Sequence, residues 1–388
     1  MHLSRTLSIG LAVHTESMAV AYVAPEHHAA VVSLGTIGPR PCDIAHRMCQ
    51  MPSTSKPLLL VSEAGSCGYW LSRSLTQKGQ VCWVVAPSLL PKKPGNRVKT
   101  NRRDALKLAR LRRARDLTPV DVPQVEEAAM RDLCRARDET IRALQAVQCQ
   151  RKAFLLRHDI RSTGRATWRP AHLRWLSEVV CPTPAQQIGC QAYIRAVTDH
   201  TERLERLEQA RTDQVQTWRL APVVDALQAL RGGPCTVAVT TVAERGDRTQ
   251  FAHPRPLRHS LGFTPSADST GERRQQGGIT TTGNSHARRA LVAGAWASRY
   301  PAQISRHLPL RLAKLPTAIQ AISWKAQVRL CKRYRQLMAQ GTNATPVVVA
   351  VARELSACMW AIAKQVAGAP QAERWRRIDA QAFQVSDV

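Results

Sequence analysis

The sequence predicts an α/β layer with a mixed sheet, followed by a mainly α-helical remainder. Three observations carry that reading. Short apolar runs alternate with a helical stretch over residues 7–86. Two long helical patterns fill 123–156 and 185–218. Helical patterns then recur from 223 to 366. A chain of 388 residues is long enough for two or three domains, each with its own core. The expected divisions are 1–120, a helical region at 121–219, a C-terminal domain at 220–368 and a flexible tail at 369–388.

Residues 7–24, LSIGLAVHTESMAVAYVA, read as strand, turn and strand, with a third strand at 30–35. The run PLLLVS at 57–62 is continuously apolar and ends in Glu63-Ala64-Gly65. That is a buried strand whose C-terminal end presents a carboxylate. A helix at 69–78 and a strand at 81–86 complete the layer. Ligands in such sheets gather at strand C-termini, where Glu63 stands.

A break at Pro91-Lys92-Lys93-Pro94-Gly95 leads into RVKTNRRDALKLARLRRAR. Asn101 and Asp104 are three apart and share a helix face, and Leu108 and Leu111 continue toward the core. Arg102, Arg103, Lys107, Arg110, Arg112, Arg113 and Arg115 make the helix basic. Seven cations with one acid nearby repel one another, and a phosphate partner relieves that repulsion.

The helix at 123–156 carries Leu133, Ile141 and Leu144 on a stripe. Breaks at Ser162-Thr163-Gly164 and Cys181-Pro182-Thr183-Pro184 separate it from the helix at 185–218. There Val197, Leu204 and Leu207 have coiled-coil-like spacing. The two helices read as an antiparallel hairpin or a dimerisation arm, with plain packing inside one subunit as the alternative. Helix 223–230, the turn Arg231-Gly232-Gly233-Pro234 and helix 235–244 have the layout of modules that hold a phosphate backbone. Further helices are expected at 285–298, 322–339 and 345–366.

Between them lies LGFTPSADSTGERRQQGGITTTGNSHARRALVAGAW, residues 261–296, read as a polar loop that opens into a helix. It gathers Ser266, Ser269 and Thr270, then Gly271, Arg273, Arg274, Gly277-Gly278, Arg288 and Arg289. Glycines let the backbone approach a phosphodiester, arginines neutralise it, and a hydroxyl supplies a nucleophile.

The net charge of +28 requires a polyanionic partner, most simply nucleic acid. The eleven cysteines contain no CxxC pair, which argues against zinc and a disulfide framework. A reducing, cytoplasmic location follows. No run of eighteen apolar residues exists, so no membrane span is expected. His158 and His172 read as surface or phosphate-contacting residues. Trp168, Trp175, Trp296 and Trp324 read as core side chains, with base stacking the alternative. Cys67 is expected to pack behind Glu63.

The motifs IGLAVH, VSEAGSCGYWL, VVAPSLLPKKPGNRVKTNRRDALKLARL, LGFTPSADSTGERRQQGGITTTGN and SWKAQVRLCKRYRQL carry a family likeness from about residue 7 to 367. The chain resembles insertion-sequence transposases with an N-terminal DEDD domain and a C-terminal serine transposase domain. These are relatives of the pilin-gene inverting recombinase, and some members are guided by a bridge RNA. The resemblance implies a ribonuclease-H-like sheet with four metal-binding acids, a coiled-coil arm and a serine that links covalently to DNA. It also implies Mg²⁺ as cofactor, DNA and a guide RNA as partners, and a homodimer or homotetramer.

Carried over position by position, the pattern is incomplete. Its first acid falls on Ala12 and its third on Asn101, while the second and fourth are present as Glu63 and Asp104. Its serine falls on Thr270, beside Ser269, and a lysine of the pattern falls on Thr281. Two carboxylates alone bind a hard cation weakly. The expected function is therefore transposition by a site-specific DNA recombinase whose chemistry is impaired in this copy. The alternative is an inactive nucleic-acid-binding protein derived from one.

Overall fold

A computed structural model describes residues 6–366, except 27, 50–56, 66, 68, 92–98, 163–167, 169, 247–250, 271–272 and 305–307. The break at Lys92–Gly95, the Thr163-Gly164 break, Gly271 and the tail beyond Gly368 lie outside the described residues. The chain falls into two compact units. One comprises 1–124 and 259–283, the other 125–258 and 284–367.

The first unit holds a five-stranded mixed sheet in the order β3-β2-β1-β4-β5. Strands β1 (Leu7–Val13), β2 (Met18–Val23) and β3 (Val32–Ile37) form an antiparallel meander. After helix α1 (Pro41–Cys49), strand β4 (Leu58–Glu63) pairs parallel to β1. Helix α2 (Trp70–Gln77) carries the chain to β5 (Val81–Val85), parallel to β4. Helix α3 (Asn101–Arg113) follows, with Thr100 as its N-cap. The Thr100 hydroxyl accepts from the Arg103 N–H at 3.3 Å.

Side-chain alternation gives the sheet two apolar faces. Ile9, Leu11 and Leu60 pack with Ile44 of α1 and Leu71 and Leu75 of α2. On the other face Leu59, Val61 and Val85 pack with Leu108 of α3. Ala12, Ala19 and Ala21 pack there with Ala105 of α3. The contact at Gly10 is closest: a Cβ there would stand 2.1 Å from the Ala105 carbonyl oxygen and 2.7 Å from the Ala109 nitrogen. Helix and strand meet backbone to backbone, which only glycine permits.

The same unit includes a feature that differs from expectation. The stretch read as a loop is a β-hairpin, β6 (Pro265–Thr270) with β7 (Arg273–Ile279). Its polar residues lack the alternation that marks a half-buried strand, so the sequence gives no strand signal. Backbone pairing holds it instead. Ser266 to Thr270 are all exposed, so this strand buries no core.

The second unit is helical. Helices α4 (Val125–Arg157) and α6 (Pro184–Thr217) pack along one another, with α5 (Pro170–Glu178) between them in sequence. They run antiparallel. Arg137 of α4 bonds Glu208 of α6, whereas Phe154, later in α4, meets Tyr193, earlier in α6. The stripe read on α4, Leu133, Ile141 and Leu144, is half-buried, and the buried positions of the helix include Met130, Cys134, Thr140, Phe154 and Leu155. Thr183 and Gln186 form a reciprocal cap that starts α6.

Helices α7 (Ala221–Leu227), α8 (Cys235–Arg245) and α9 (Pro254–Ser260) precede the hairpin. Helix α10 (Ser285–Ala295) follows it, then a 3₁₀ turn (Trp296–Arg299), α11 (Leu308–Leu312), α12 (Thr317–Ala339) and α13 (Ala344–Val366). Helix α13 is long and apolar enough to cross a membrane by length and composition. Its Val347, Val351, Leu355, Met359 and Ile362 are buried, and it packs against α7, α10 and α12. It is the core helix of this unit.

The Gly10 contact yields a test. Gly10→Ala forces α3 off the sheet and should destabilise the first unit by roughly 1–3 kcal/mol, the scale of an overpacked core. Thermal unfolding and limited proteolysis of the variant would read that loss. An unchanged melting profile would mean that α3 does not lie this close.

Candidate active site

The sheet and α3 bring four sequence-predicted positions to one place. The parallel pairing of β1 and β4 runs through Leu11 beside Ser62. One residue further along stand Ala12 and Glu63. Glu63 has the parity of Leu59 and Val61, so it lies on the face that α3 covers. Ala12 lies on that face too, packed with Ala105. Ala105 follows Asp104, and Asn101 opens the same helix. Ala12, Glu63, Asn101 and Asp104 therefore gather where β1 and β4 end beneath the first turn of α3. Glu63, Asn101 and Asp104 are half-buried and open to solvent.

The donor set there does not fit a divalent-metal centre of the four-acid kind. Ala12 offers no oxygen and is 7 % exposed within an alanine cluster. Asn101 offers one neutral carbonyl. Two carboxylates remain, fewer than a bridged pair of hard cations needs. Among the described residues no three His, Cys, Asp or Glu side chains come together as a metal site. Cys67 stands near this end of the sheet, with its Sγ 3.7 Å from the Val13 carbonyl.

The cations of α3 divide by role. Arg112 stacks on Trp83 with its guanidinium carbon 4.3 Å from the ring centre. Burial and the Arg115 charge lower its pKa. Arg113 donates to the Ala29 carbonyl at 2.6 Å. Both serve the fold. Arg102, Arg103 and Arg110 stay exposed, and Lys107 is half-buried.

The hairpin fixes the hydroxyls. Thr270 pairs with Arg273 and Ser269 with Arg274, the last pairs before the turn. Alternation puts Ser269 and Thr270 on opposite faces of the ribbon. A small shift does not exchange one for the other. A one-residue register slip is required, and it would invert the whole strand. Ser266 is engaged elsewhere: its hydroxyl donates to the Gly278 carbonyl at 3.1 Å.

At the hairpin base, the Thr280 N–H donates to the Thr264 carbonyl at 2.8 Å. Leu261 and Phe263 are buried just before it. Thr281 has φ +53°, a left-handed conformation that a β-branched residue rarely adopts. Gly283 has φ +80°, and a Cβ there would stand 2.2 Å from the Ser260 carbonyl oxygen.

The start of α10 rests on a residue that the sequence reading passed over. Asn284 caps α10, its Oδ1 accepting from the Ala287 N–H at 2.9 Å. Its Nδ2 donates to Glu244 Oε2 at 2.7 Å. Glu244 is fully buried at the end of α8. Arg135 of α4 donates to both Glu244 oxygens, at 2.8 and 3.0 Å. Arg131 donates to the Ala243 and Glu244 carbonyls at 3.1 and 3.2 Å. Burial raises the Glu244 pKa, but the Arg135 and Asn284 bonds and both arginine charges outweigh it, and the net shift is downward. The available signal was a lone glutamate closing an otherwise apolar helix, CTVAVTTVAE. Arg288 of α10 is half-buried, and its pKa is lowered by burial and by Arg289. Exposed Arg289 approaches the His286 ring at 3.0 Å.

The two histidines considered earlier are structural. His158 packs edge-on against Phe154, and its Nδ1 lies 3.2 Å from the Gln186 amide. His172 Nδ1 accepts from the Trp168 N–H at 3.2 Å, and burial and Arg151 lower its pKa. Trp168 and Trp175 pack around the α5 cluster, as expected of core side chains. Trp296 and Trp324 do not: each is exposed.

A mixed sheet in this strand order, with an acid at the end of β4 and another in the first turn of α3, is consistent with a ribonuclease-H-like DEDD domain. Comparison with known proteins agrees. A DEDD transposase family of the IS110 type matches residues 46–159, and the family described as Transposase IS116/IS110/IS902 matches 224–307. A putative transposase, y4qE of Sinorhizobium fredii, is 41 % identical over 361 residues, covering 93 % of this chain and 89 % of the relative. The transposase for insertion sequence element IS1533 of Leptospira borgpetersenii is 26 % identical over 347 residues, covering 86 % and 97 %. A probable family 20 transposase of Pseudomonas aeruginosa is 26 % identical over 311 residues, covering 79 % and 84 %. The chain belongs to the IS110/IS116/IS902 family of insertion-sequence transposases.

Two tests follow from the buried carboxylate. Glu244→Ala removes the buried carboxylate that Arg135 and Asn284 share and should cost about 3–5 kcal/mol, measured by denaturant unfolding. Because its folded pKa is depressed, Glu244 contributes stability that is complete above the ordinary carboxylate pKa. That stability is lost as pH falls through the lower, folded value. Glu244→Gln should therefore flatten the acid limb of the stability profile. An unchanged limb would mean that Glu244 is not ionised in the fold.

Proposed function

We propose that this chain is an insertion-sequence transposase that retains the fold and nucleic-acid grip of its family and carries out strand exchange weakly. The observation that carries the reading is the convergence of Ala12, Glu63, Asn101 and Asp104, where two of four positions have lost their charge. Alanine and asparagine at a charged-oxygen site remove metal affinity without disturbing the alanine packing beneath α3. Glu63 and Asp104 would be the residual, weak ligands for Mg²⁺.

Thr270 occupies the nucleophile's position at the end of β6. Its hydroxyl oxygen would attack a DNA phosphorus, joining the strand to the protein and releasing a deoxyribose hydroxyl. The extra methyl of threonine crowds that in-line approach. Arg102, Arg103, Lys107, Arg273, Arg274, Arg288 and Arg289 supply phosphate contacts. The working assembly is a homodimer or homotetramer in the bacterial cytoplasm, joined through the α4–α6 arm, with a guide RNA as a further partner. The division at 1–120, 121–219 and 220–368 assigns these roles to a DEDD domain, an arm and a serine-type domain. A second reading, a nucleic-acid-binding protein without strand exchange, is favoured by the same substitutions.

Covalent trapping on labelled element-end DNA decides between them. Ala12→Asp, Asn101→Asp and Thr270→Ser together should raise adduct yield on the order of a hundredfold, the scale of a positioned catalytic group. Thr270→Ala should abolish any adduct of the parent chain. A restored chain no better than the parent would overturn the account of impaired chemistry.

A further inference from the structure

Four aromatic side chains stand exposed among the described residues, and three fall within one short stretch. Trp296 is 38 % exposed, Tyr300 49 % and Trp324 45 %. Such rings ordinarily turn inward, and a cluster of them at the surface marks a contact.

The segment that carries Trp296 and Tyr300 packs against α12, the helix that carries Trp324. The 3₁₀ turn that begins with Trp296 packs against α12. Just past Tyr300, the Gln303 carbonyl accepts from the Gln327 amide of α12 at 2.7 Å. Gln327 is three residues beyond Trp324, on the same side of the helix. The opposite edge is occupied, since Arg329 and Arg333 reach Glu354 of α13 at 2.8 and 3.7 Å. Beyond Trp324 the free edge continues at helical spacing through exposed Lys332 and Arg335. The Arg299 guanidinium lies 4.5 Å from the Tyr300 ring centre.

The stretch of chain that carries the three rings has one sign, and Glu354 just beyond it is taken up by Arg329 and Arg333. Residues 273–353 contain fourteen Lys and Arg and no Asp or Glu. A protein–protein contact of this polarity would be disfavoured, because interface cores shed charge and rims carry both signs. Exposed rings beside unopposed cations instead match the two needs of an unpaired strand, a surface for base faces and counter-charge for phosphates.

We propose that Trp296, Tyr300 and Trp324 form a stacking platform for an unpaired DNA strand, with Arg299, Lys332 and Arg335 tracking its phosphates. The proposal rests on the reading that this chain handles DNA, and it names the form of DNA that this face takes.

The test compares full-length protein binding to a labelled oligothymidylate, to an abasic deoxyribose-phosphate strand of equal length and to duplex DNA, at one salt concentration. The thymidylate should bind roughly tenfold more tightly than the abasic strand. Trp324→Ala and Trp296→Ala should each weaken thymidylate binding by roughly tenfold while leaving duplex and abasic binding unchanged. Trp324→Phe should retain most of the affinity. Equal binding of thymidylate and abasic strands by the parent chain would overturn the platform without any variant. So would tighter binding of oligouridylate, which would assign the face to RNA, or a change in self-association with DNA binding intact. Duplex binding that persists while the stacking arms fail would sink this proposal alone. Absence of binding to any DNA would sink the proposed function with it.

Discussion

Helix α3 rests on strand β1 with no side chain between them at Gly10, and the geometry of the candidate active site depends on that contact. The approach lowers the first turn of α3 onto the ends of β1 and β4. A helix held one side chain further out would carry Asn101 and Asp104 away from Glu63. The alanines around position 12 serve the same closeness, because Ala12, Ala19, Ala21 and Ala105 are the smallest side chains that still exclude water. The site was therefore shaped by small residues as much as by charged ones. Ala12 completes a surface that packs against Ala105.

The second unit uses a different device. Glu244 is one buried charge that satisfies donors from α4 and from the cap of α10. Apolar packing is tolerant of small slides, whereas a carboxylate with fixed partners is not. The network thus sets the position at which α10 begins, directly after the hairpin. The hairpin lacks such support along its exposed length, and an isolated two-stranded ribbon is marginal in water.

Much of the sheet was legible because its signals are local. The runs at Leu7–Val13 and Leu58–Glu63 have few polar interruptions, and both emerged as central strands. Helices α3, α4, α6 and α13 followed from periodicity and, for α6, from the break at Cys181–Pro184. Helix α1 went unread because Pro41–Cys49 is short and mixes polar and apolar residues. The hairpin went unread because Ser266–Thr270 has no apolar face for alternation to reveal. Glu244 was invisible because its partners lie over a hundred positions earlier in sequence or forty later. Trp296 and Trp324 sit beside apolar residues, as core aromatics do, and only the packing of α12 shows which edge is left uncovered. At the site, positions 12, 63, 101 and 104 came from motif resemblance. Sequence spacing could not show that they meet on one sheet face.

The ribbon that carries Ser269 and Thr270 also restricts how this segment can change length over time. Its two sides are distinguished only by whether a position is odd or even. Past the register shift between Pro265 and Ala267, loss or gain of one residue before Thr270 would turn the ribbon inside out, whereas a change of two would preserve its outward side. Variation in the length of this strand among descendants of this chain should thus come in steps of two, a parity rule imposed by backbone geometry.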